Sequence, residues 1–359
     1  MSQDQIEDEI NGELVSIFED GDLILDASTS LHSRRFKVSS HVLCAASSVF
    51  RAMFGPGGKF KESRELRTAE PSTELYVLPI EDDDLDVLQF VLMILHHRNS
   101  GVPLEIDFDE LVQVAVLSDK YDLAVALRFT ASAWRGRWRC KVNRTMAGSD
   151  TLADPGFENW LLVSWVFGET EIFKRLSEIL IRTAIINEYD MLEFGDDELY
   201  LIVPDSVWCR YFLVLLGYLI PDKRPGGVAT KRDAIFDSIF EKCQKRLEEL
   251  EKGSETGPLC LSYHPSRDLR EMCDAFQLTL LKRRLSKAGL LPEDFGRARL
   301  NSINSLRETF ISMAEQEGFL DSTHDDCDAS KILRDDVLDL LAGIRGLELS
   351  DFPSRGASV

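Results

Sequence analysis

Apolar positions along the chain recur in two rhythms, and the change from one to the other divides it. In the first third, short alternating runs predict strands at Asp22 to Asp26, Phe36 to Val38 and Leu75 to Ile80. The tract Ala27 to Ser33 between the first two supplies small turn-forming residues. His41 to Ala46 and Ser47 to Phe54 read as two short helices. The second opens on serines able to accept from free N–H groups and stops at Gly55-Pro-Gly-Gly58. A stronger helix covers Leu85 to His97, with Leu85, Leu88, Val91, Leu92 and Leu95 as its apolar stripe. Glu81 to Asp84 place acids at its start, read as solvated, and two histidines fall near its C-terminus, each charge type suiting its end of the helix dipole. Two more helices are expected at Asp107 to Lys120, with Leu111, Val114, Ala115 and Leu117 inward, and at Leu123 to Trp134.

Strands mixed with short helices and followed by helices alone predict an α+β unit over 18–134. From Arg135 to Gly156 the pattern collapses into basic, small and Pro/Gly residues, so a linker is expected at 135–157 and a helical domain at 158–348. Residues 1–17 read as an acidic, partly disordered N-terminus and 349–359 as a flexible tail. In the helical part, Ile172, Leu176, Ile179, Leu180 and Ala184 line one face of Glu171 to Ile186. Phe236, Phe240, Cys243, Leu247 and Leu250 do the same over Asp233 to Leu250. Ser266 or Asp268 caps a helix expected to bury Leu269, Met272, Phe276 and Leu280 and to end at Gly289. Lys331 to Ile344 is the last amphipathic helix, and no repeat period marks a solenoid.

Charge narrows the function classes. The formal net charge is -21, and residues 1–26 carry nine acidic side chains and no basic ones. Such a chain repels a phosphate backbone, whose binding depends on basic groups displacing counterions, so nucleic acid is not an expected partner. The longest apolar stretch, Tyr211 to Ile220, falls short of the roughly 20 residues a bilayer requires, and no membrane span is expected. Seven cysteines without pairing rhythm, behind an N-terminus lacking a secretory pattern, read as reduced thiols in the cytoplasm or nucleus.

The segment Asp22 to Trp134 resembles the BTB/POZ family, and more closely its fungal branch. The residues that carry the likeness are Phe36 to Leu43 with Ala45, Ser47 and Phe50, then Phe60 to Ser63, then Leu117 to Leu123 and Trp134. The resemblance implies a BTB/POZ-like domain, a short mixed sheet flanked by helices, ahead of an all-α region. Val38, Leu43, Ala45, Phe50 and Phe54 read as its core, with Ser47 as a cap. One departure is visible: Ser39 stands where the family has a histidine bonded to the acid matching Asp22, so Ser39 or His41 is expected to take that bond.

The resemblance also implies protein partners. Many members form homodimers through an N-terminal helix and first strand, which points to Leu14, Val15, Ile17 and Phe18. Some dock on a cullin scaffold as ubiquitin-ligase adaptors through an apolar residue, any residue, then Glu, a pattern that Phe60 and Glu62 match. A small hot spot of this kind can dominate an interface. For Phe60 and for the Leu14 group the alternative is packing within the monomer, as for most apolar side chains.

Four clusters carry candidate chemistry. Cys243, Cys260, His264 and Cys273 could supply four zinc ligands, but their spacing is unlike compact paired ligands, and they read as buried thiols. Asp82 to Asp84, and Asp325-Asp326 beside His324 and Cys327, read as solvated acids rather than metal sites. Arg135, Arg137, Arg139, Lys141 and Arg144 interleave with Trp134 and Trp138. They read as charges relieving a helix C-terminus rather than as a stacking platform for single-stranded bases. No phosphate loop, nucleophile elbow or histidine-glutamate metal motif occurs. The expectation is a protein without catalytic residues, metal or cofactor, acting as an adaptor, or as an oligomerising scaffold with no ligase role; a thiol- or metal-dependent enzyme is the remaining alternative.

Overall fold

The computed structural model describes residues 13–55, 75–146, 159–186, 192–193, 227–252, 257–260, 266–315 and 326–352. The chain divides into two compact units, one of residues 1–147, 159–172 and 353–359, the other of residues 148–158 and 173–352.

The first unit is built on a four-stranded sheet in the order β1-β3-β2-β4: β1 Glu13–Ser16, β2 Leu23–Ser28, β3 Ser33–Val38 and β4 Tyr76–Glu81. β2 and β3 form an antiparallel hairpin, whereas β1 lies parallel to β3 and β4 parallel to β2. Thr29 closes the hairpin: its N–H donates to the His32 carbonyl at 2.8 Å, and its Oγ1 accepts from the His32 N–H at 3.1 Å. Register puts Leu25 opposite both Phe36 and Leu78. Because side chains alternate across a strand, Leu23, Leu25, Ala27, Phe36, Val38, Leu78 and Ile80 then share one buried face. Arg35 meets Asp26 at 3.3 Å on the other face.

Helices α1 Ser40–Ala46 and α2 Ser48–Phe54 follow the hairpin, and Ser47 joins them. Its Oγ accepts from the Phe50 N–H at 3.0 Å, the cap expected of it, and donates to the Tyr121 carbonyl. Leu43, Phe50 and Phe54 are buried as expected, whereas Ala45 is exposed. Phe50 stacks on Tyr121 with ring centroids 4.9 Å apart. α3 Leu85–Leu95 packs on β3, α1 and α4; Asp84 caps it by accepting from the Asp86 and Val87 N–H groups. α4 Phe108–Lys120 starts on a capping box between Asp107 and Glu110. Burying an apolar side chain contributes about 1.5–3 kcal/mol, so Leu88, Val91, Leu92, Leu111, Val114, Ala115 and Leu117 make the α3–α4 layer the centre of this unit's core.

Past α4 the structure departs from the expected boundaries. Helix α5 runs from Arg128 to Met146, so Trp134 lies inside a helix rather than before a linker. Arg135, Arg137 and Arg139 are accommodated within it by pairing with Glu105 and Glu169. α6 Trp160–Phe167 packs on α4, ends at Gly168 with φ of 77°, and completes this unit with the first residues of α7 Thr170–Thr183.

The second unit is mostly helical: the rest of α7, the short strand pair β5 Ile185–Ile186 and β6 Leu192–Glu193, α8 Val228–Lys252, α9 Arg267–Ala288, α10 Phe295–Ala298, α11 Ile303–Glu315 and α12 Ala329–Ala342. α8, α9 and α12 pack against one another, and α11 lies on α9 and α12. Phe236, Phe240, Cys243, Leu247 and Leu250 are buried as the periodicity requires. Beside them Arg232 is fully buried, and its guanidinium donates to the carbonyls of Ala184, Arg299 and Asn301. α9 ends at Gly289 in the left-handed region, φ 65°, as expected. Its buried face is not the expected one. Cys273, Asp274, Gln277, Leu281, Arg284 and Leu285 point inward, whereas Leu269 and Met272 are exposed and Phe276 and Leu280 half-buried.

Among the described residues, no helix is long and apolar enough to cross a membrane. The apolar stretch Tyr211 to Ile220 lies outside them.

Candidate functional site

The candidate surface is the β1 edge of the first unit's sheet. Among the described residues β1 pairs on one side only, with β3. The strand and the residues after it alternate outward and inward. Leu14 is 56% exposed, Val15 half-buried, Ile17 fully buried and Phe18 38% exposed. Of the four residues expected on a partner surface, Ile17 therefore belongs to the monomer core, and Leu14 and Phe18 face solvent.

Local chemistry fixes this edge. The Ile17 and Phe18 N–H groups both donate to the Lys37 carbonyl at 3.0 Å, and Arg98 donates to the Ile17 carbonyl at 3.1 Å. The chain then turns at Gly21, where a Cβ would sit 2.7 Å from the Val38 carbonyl oxygen; only glycine permits that approach. The Phe18 ring lies 5.9 Å from the His96 ring. His96 is buried. One ring nitrogen faces the Leu92 carbonyl at 2.8 Å, and Nε2 accepts from the Ser39 N–H at 3.0 Å. Burial is the main cause that holds this imidazole below its ordinary pKa, and neutrality suits the acceptor role of Nε2.

The opposite edge is different. β4 carries Pro79, which has no N–H to offer another strand, a common way of closing an edge to further pairing. β1, with the sequence Glu-Leu-Val-Ser, carries no proline and no lysine. Among the described residues the two edges are thus unequal, and the one without proline carries the exposed Leu14.

The departure at Ser39 resolves differently from either expected substitute. Asp22 accepts from the Ser40 N–H at 2.7 Å and from the Ser40 hydroxyl at 2.6 Å, while Ser39 turns to His96 and His41 is exposed. The acid run also differs from a fully solvated helix start. Asp83 is 3% exposed and accepts from the Tyr121 hydroxyl at 2.6 Å and the Lys120 ammonium at 2.7 Å, tying the start of α3 to the end of α4. Burial, and then the Asp83 carboxylate, push the Tyr121 phenol well above its ordinary value, so it remains a proton donor.

Three arginines of the basic cluster on α5 pair with acids of the same unit. Arg135 meets Glu169 at 3.0 Å and lies over the Phe167 ring, Arg137 pairs with Glu105, and Arg139 pairs with Glu169. Trp134 and Trp138 donate their indole N–H groups to the Pro103 and Ile106 carbonyls, both at 3.1 Å. Arg135, Arg137 and Arg139 lie mid-helix, held by salt bridges rather than by dipole relief, whereas Arg144 lies in the last turn of α5. Phe129, 90% exposed four residues after the exposed Val125, is an apolar position the periodicity did not single out. Phe60 and Glu62 lie outside the described residues.

In the second unit, Cys260 and Cys273 come together, but with Cys327 in place of Cys243. Cys243 is buried on α8, and burial pushes its thiol up to about 12. Cys327, expected in a solvated acidic loop, is also buried.

Among the described residues, the first unit is a mixed sheet flanked by helices. Residues 16–128 match the BTB/POZ domain family. They form a BTB/POZ domain, a protein-interaction module, and the match spans under a third of the chain. No curated protein matched the chain.

Proposed function

We propose that this chain works by binding other polypeptides through its BTB/POZ domain, that the domain self-associates along β1, and that the chain catalyses nothing itself. The observation that carries the reading is the inequality of the two sheet edges among the described residues, Pro79 on β4 and an unpaired outer side of β1 beside an exposed Leu14. An open edge presents unpaired N–H and C=O groups on which a second strand can pair. Leu14 and Phe18 add apolar area to that pairing, Val15 lies at its margin, and Ile17 anchors the strand from behind. The helical unit holds a client or stabilises the assembly.

Size-exclusion chromatography with light scattering tests this. Wild type elutes as a dimer at tens of micromolar, and Leu14→Glu, at an exposed position, gives a folded monomer. Monomeric wild type under those conditions overturns the reading.

A second reading extends the first: the dimer is a substrate adaptor for a cullin-type ubiquitin ligase. It rests on the Phe60-Lys-Glu62 pattern in the sequence. A pull-down with a cullin N-terminal domain separates the adaptor from a scaffold that only oligomerises. Wild type binds, and Phe60→Ala and Glu62→Lys each weaken capture; no capture by wild type leaves the scaffold. The paired arginines of α5 and the net charge of -21 favour protein over nucleic-acid partners. The run Leu117 to Leu123 with Trp134 favours a fungal-type BTB protein, and the unpaired cysteine rhythm favours the cytoplasm or nucleus.

A further inference from the structure

Three thiols from three separate stretches of chain meet inside the helical unit. Cys260 precedes α9, Cys273 lies on α9, and Cys327 stands just before α12. All three are buried, between 4% and 7% exposed, and their Sγ atoms lie within 4.8 Å of one another. The Cys260 and Cys327 sulfurs are 3.6 Å apart, too far for a disulfide bond of about 2.05 Å. Among the described residues, the buried cluster they form contains sulfur side chains alone.

Polar bonds made by their neighbours hold the three segments in place. The Leu259 N–H, next to Cys260, donates to Asp274 at 2.7 Å, and Asp274 is itself next to Cys273. Asp328, next to Cys327, accepts from Arg284 of α9 at 3.2 Å, and the following Ala329 N–H donates to Gln277 of α9 at 3.1 Å. Asp274, Gln277, Arg284 and Asp328 are all buried. This explains the orientation of α9, which turns a polar face inward while Leu269 and Met272 stay in water. Apolar burial alone would rotate it the other way. Three thiols serving only as small apolar fillers would not require each flanking residue to be fastened by a buried polar bond, since such groups are costly to desolvate.

We propose that Cys260, Cys273 and Cys327 bind one zinc ion as thiolates, a structural site that ties segment 257–260 and the start of α12 to α9. Zinc–sulfur bonds of about 2.3 Å at tetrahedral angles place sulfurs about 3.8 Å apart, close to the observed Cys260–Cys327 spacing. Soft thiolates select zinc over magnesium or calcium. Each S–H loses its proton to solvent as its Zn–S bond forms, with no change of oxidation state. A water or a further side chain takes the fourth corner. The hydrogen bonds to Asp274, Gln277 and Asp328 orient the ligand-bearing backbone, as outer partners of a metal site do.

The test is elemental analysis of the full chain, purified under reducing, chelator-free conditions and re-equilibrated with zinc. Stoichiometric zinc is expected in wild type and in Cys140→Ser, whose thiol is exposed, and its loss is expected in Cys273→Ser. Zinc-edge X-ray absorption on wild type gives a readout independent of whether that variant folds, and is expected to report three sulfur ligands at about 2.3 Å. Cobalt substitution of wild type then yields a thiolate-to-metal charge-transfer band. Zinc-free wild type after re-equilibration, a metal with fewer than three sulfur ligands, or a Cys260–Cys327 disulfide in the reduced preparation would overturn the proposal.

Discussion

Replacing Asp83 by Asn separates a structural acid from a merely solvated one. The carboxylate is 3% exposed and receives one hydrogen bond from the buried Tyr121 hydroxyl and one from Lys120. A hydrogen bond to a charged group contributes about 1.5–3 kcal/mol, and the Tyr121 bond stands at that value because both of its partners are buried. The Lys120 side chain is 40% exposed and also donates to the Glu81 carbonyl, so its share falls toward the surface figure of up to about 1 kcal/mol. Asn keeps one acceptor oxygen for two donors, so Asp83→Asn is expected to cost about 2–4 kcal/mol in all. Tyr121→Phe leaves the ammonium pair intact and costs about 1.5–3 kcal/mol, and the double variant loses less than the two single losses together. Urea unfolding followed by tryptophan fluorescence reads the right unit, since four of the five tryptophans, Trp134, Trp138, Trp160 and Trp165, lie in it. A loss for Asp83→Asn within about 0.5 kcal/mol, the size of an ordinary surface change, would refute the reasoning.

Other outcomes follow from single contacts. Ser47→Ala removes the acceptor for the Phe50 N–H and is expected to cost about 1–2 kcal/mol by the same unfolding assay. His96 is held below the ordinary imidazole value of about 6.5 while the unfolded chain protonates there, so the unfolded state binds more protons in acid. The first unit is therefore most stable above that pH and loses stability as pH falls through it toward the folded-state value. His96→Gln should flatten the profile between pH 7.5 and 5.5, and an unchanged slope would remove His96 as its cause. Arg232→Leu leaves the Ala184, Arg299 and Asn301 carbonyls without their shared donor, with an expected loss of at least about 3 kcal/mol. Amide exchange along α8 reads this directly, and unchanged protection would contradict it.

Local rules carried far through this chain and failed where buried polar groups decide. The hairpin, the Ser47 cap, the α3 stripe and the left-handed stop at Gly289 follow from alternation, capping and glycine chemistry, all written within a few neighbouring residues. The inward face of α9 was hidden. Asp274, Gln277 and Arg284 look like solvent residues until Leu259, Asp328 and Ala329 arrive from elsewhere in the chain to bond them. The role of Asp83 is hidden for the same reason, its donors lying almost forty residues away at the end of α4 and in the residue after it. The run after Trp134 looked like a linker because helix propensity gives no credit for Glu105 and Glu169 pairing with its arginines. At the candidate surface, the concentration of apolar residues from Leu14 to Phe18 was legible, and its division into a buried Ile17 and an exposed Leu14 followed only from the pairing of β1 with β3.

The central claim is that β1 is a recognition edge, and amide hydrogen exchange over Leu14 to Phe18 at rising protein concentration tests it most directly. Exchange there should slow as concentration rises, and show no dependence on concentration in Leu14→Glu. Equal exchange at all concentrations in wild type, with the chain sedimenting as a monomer throughout, would contradict the account.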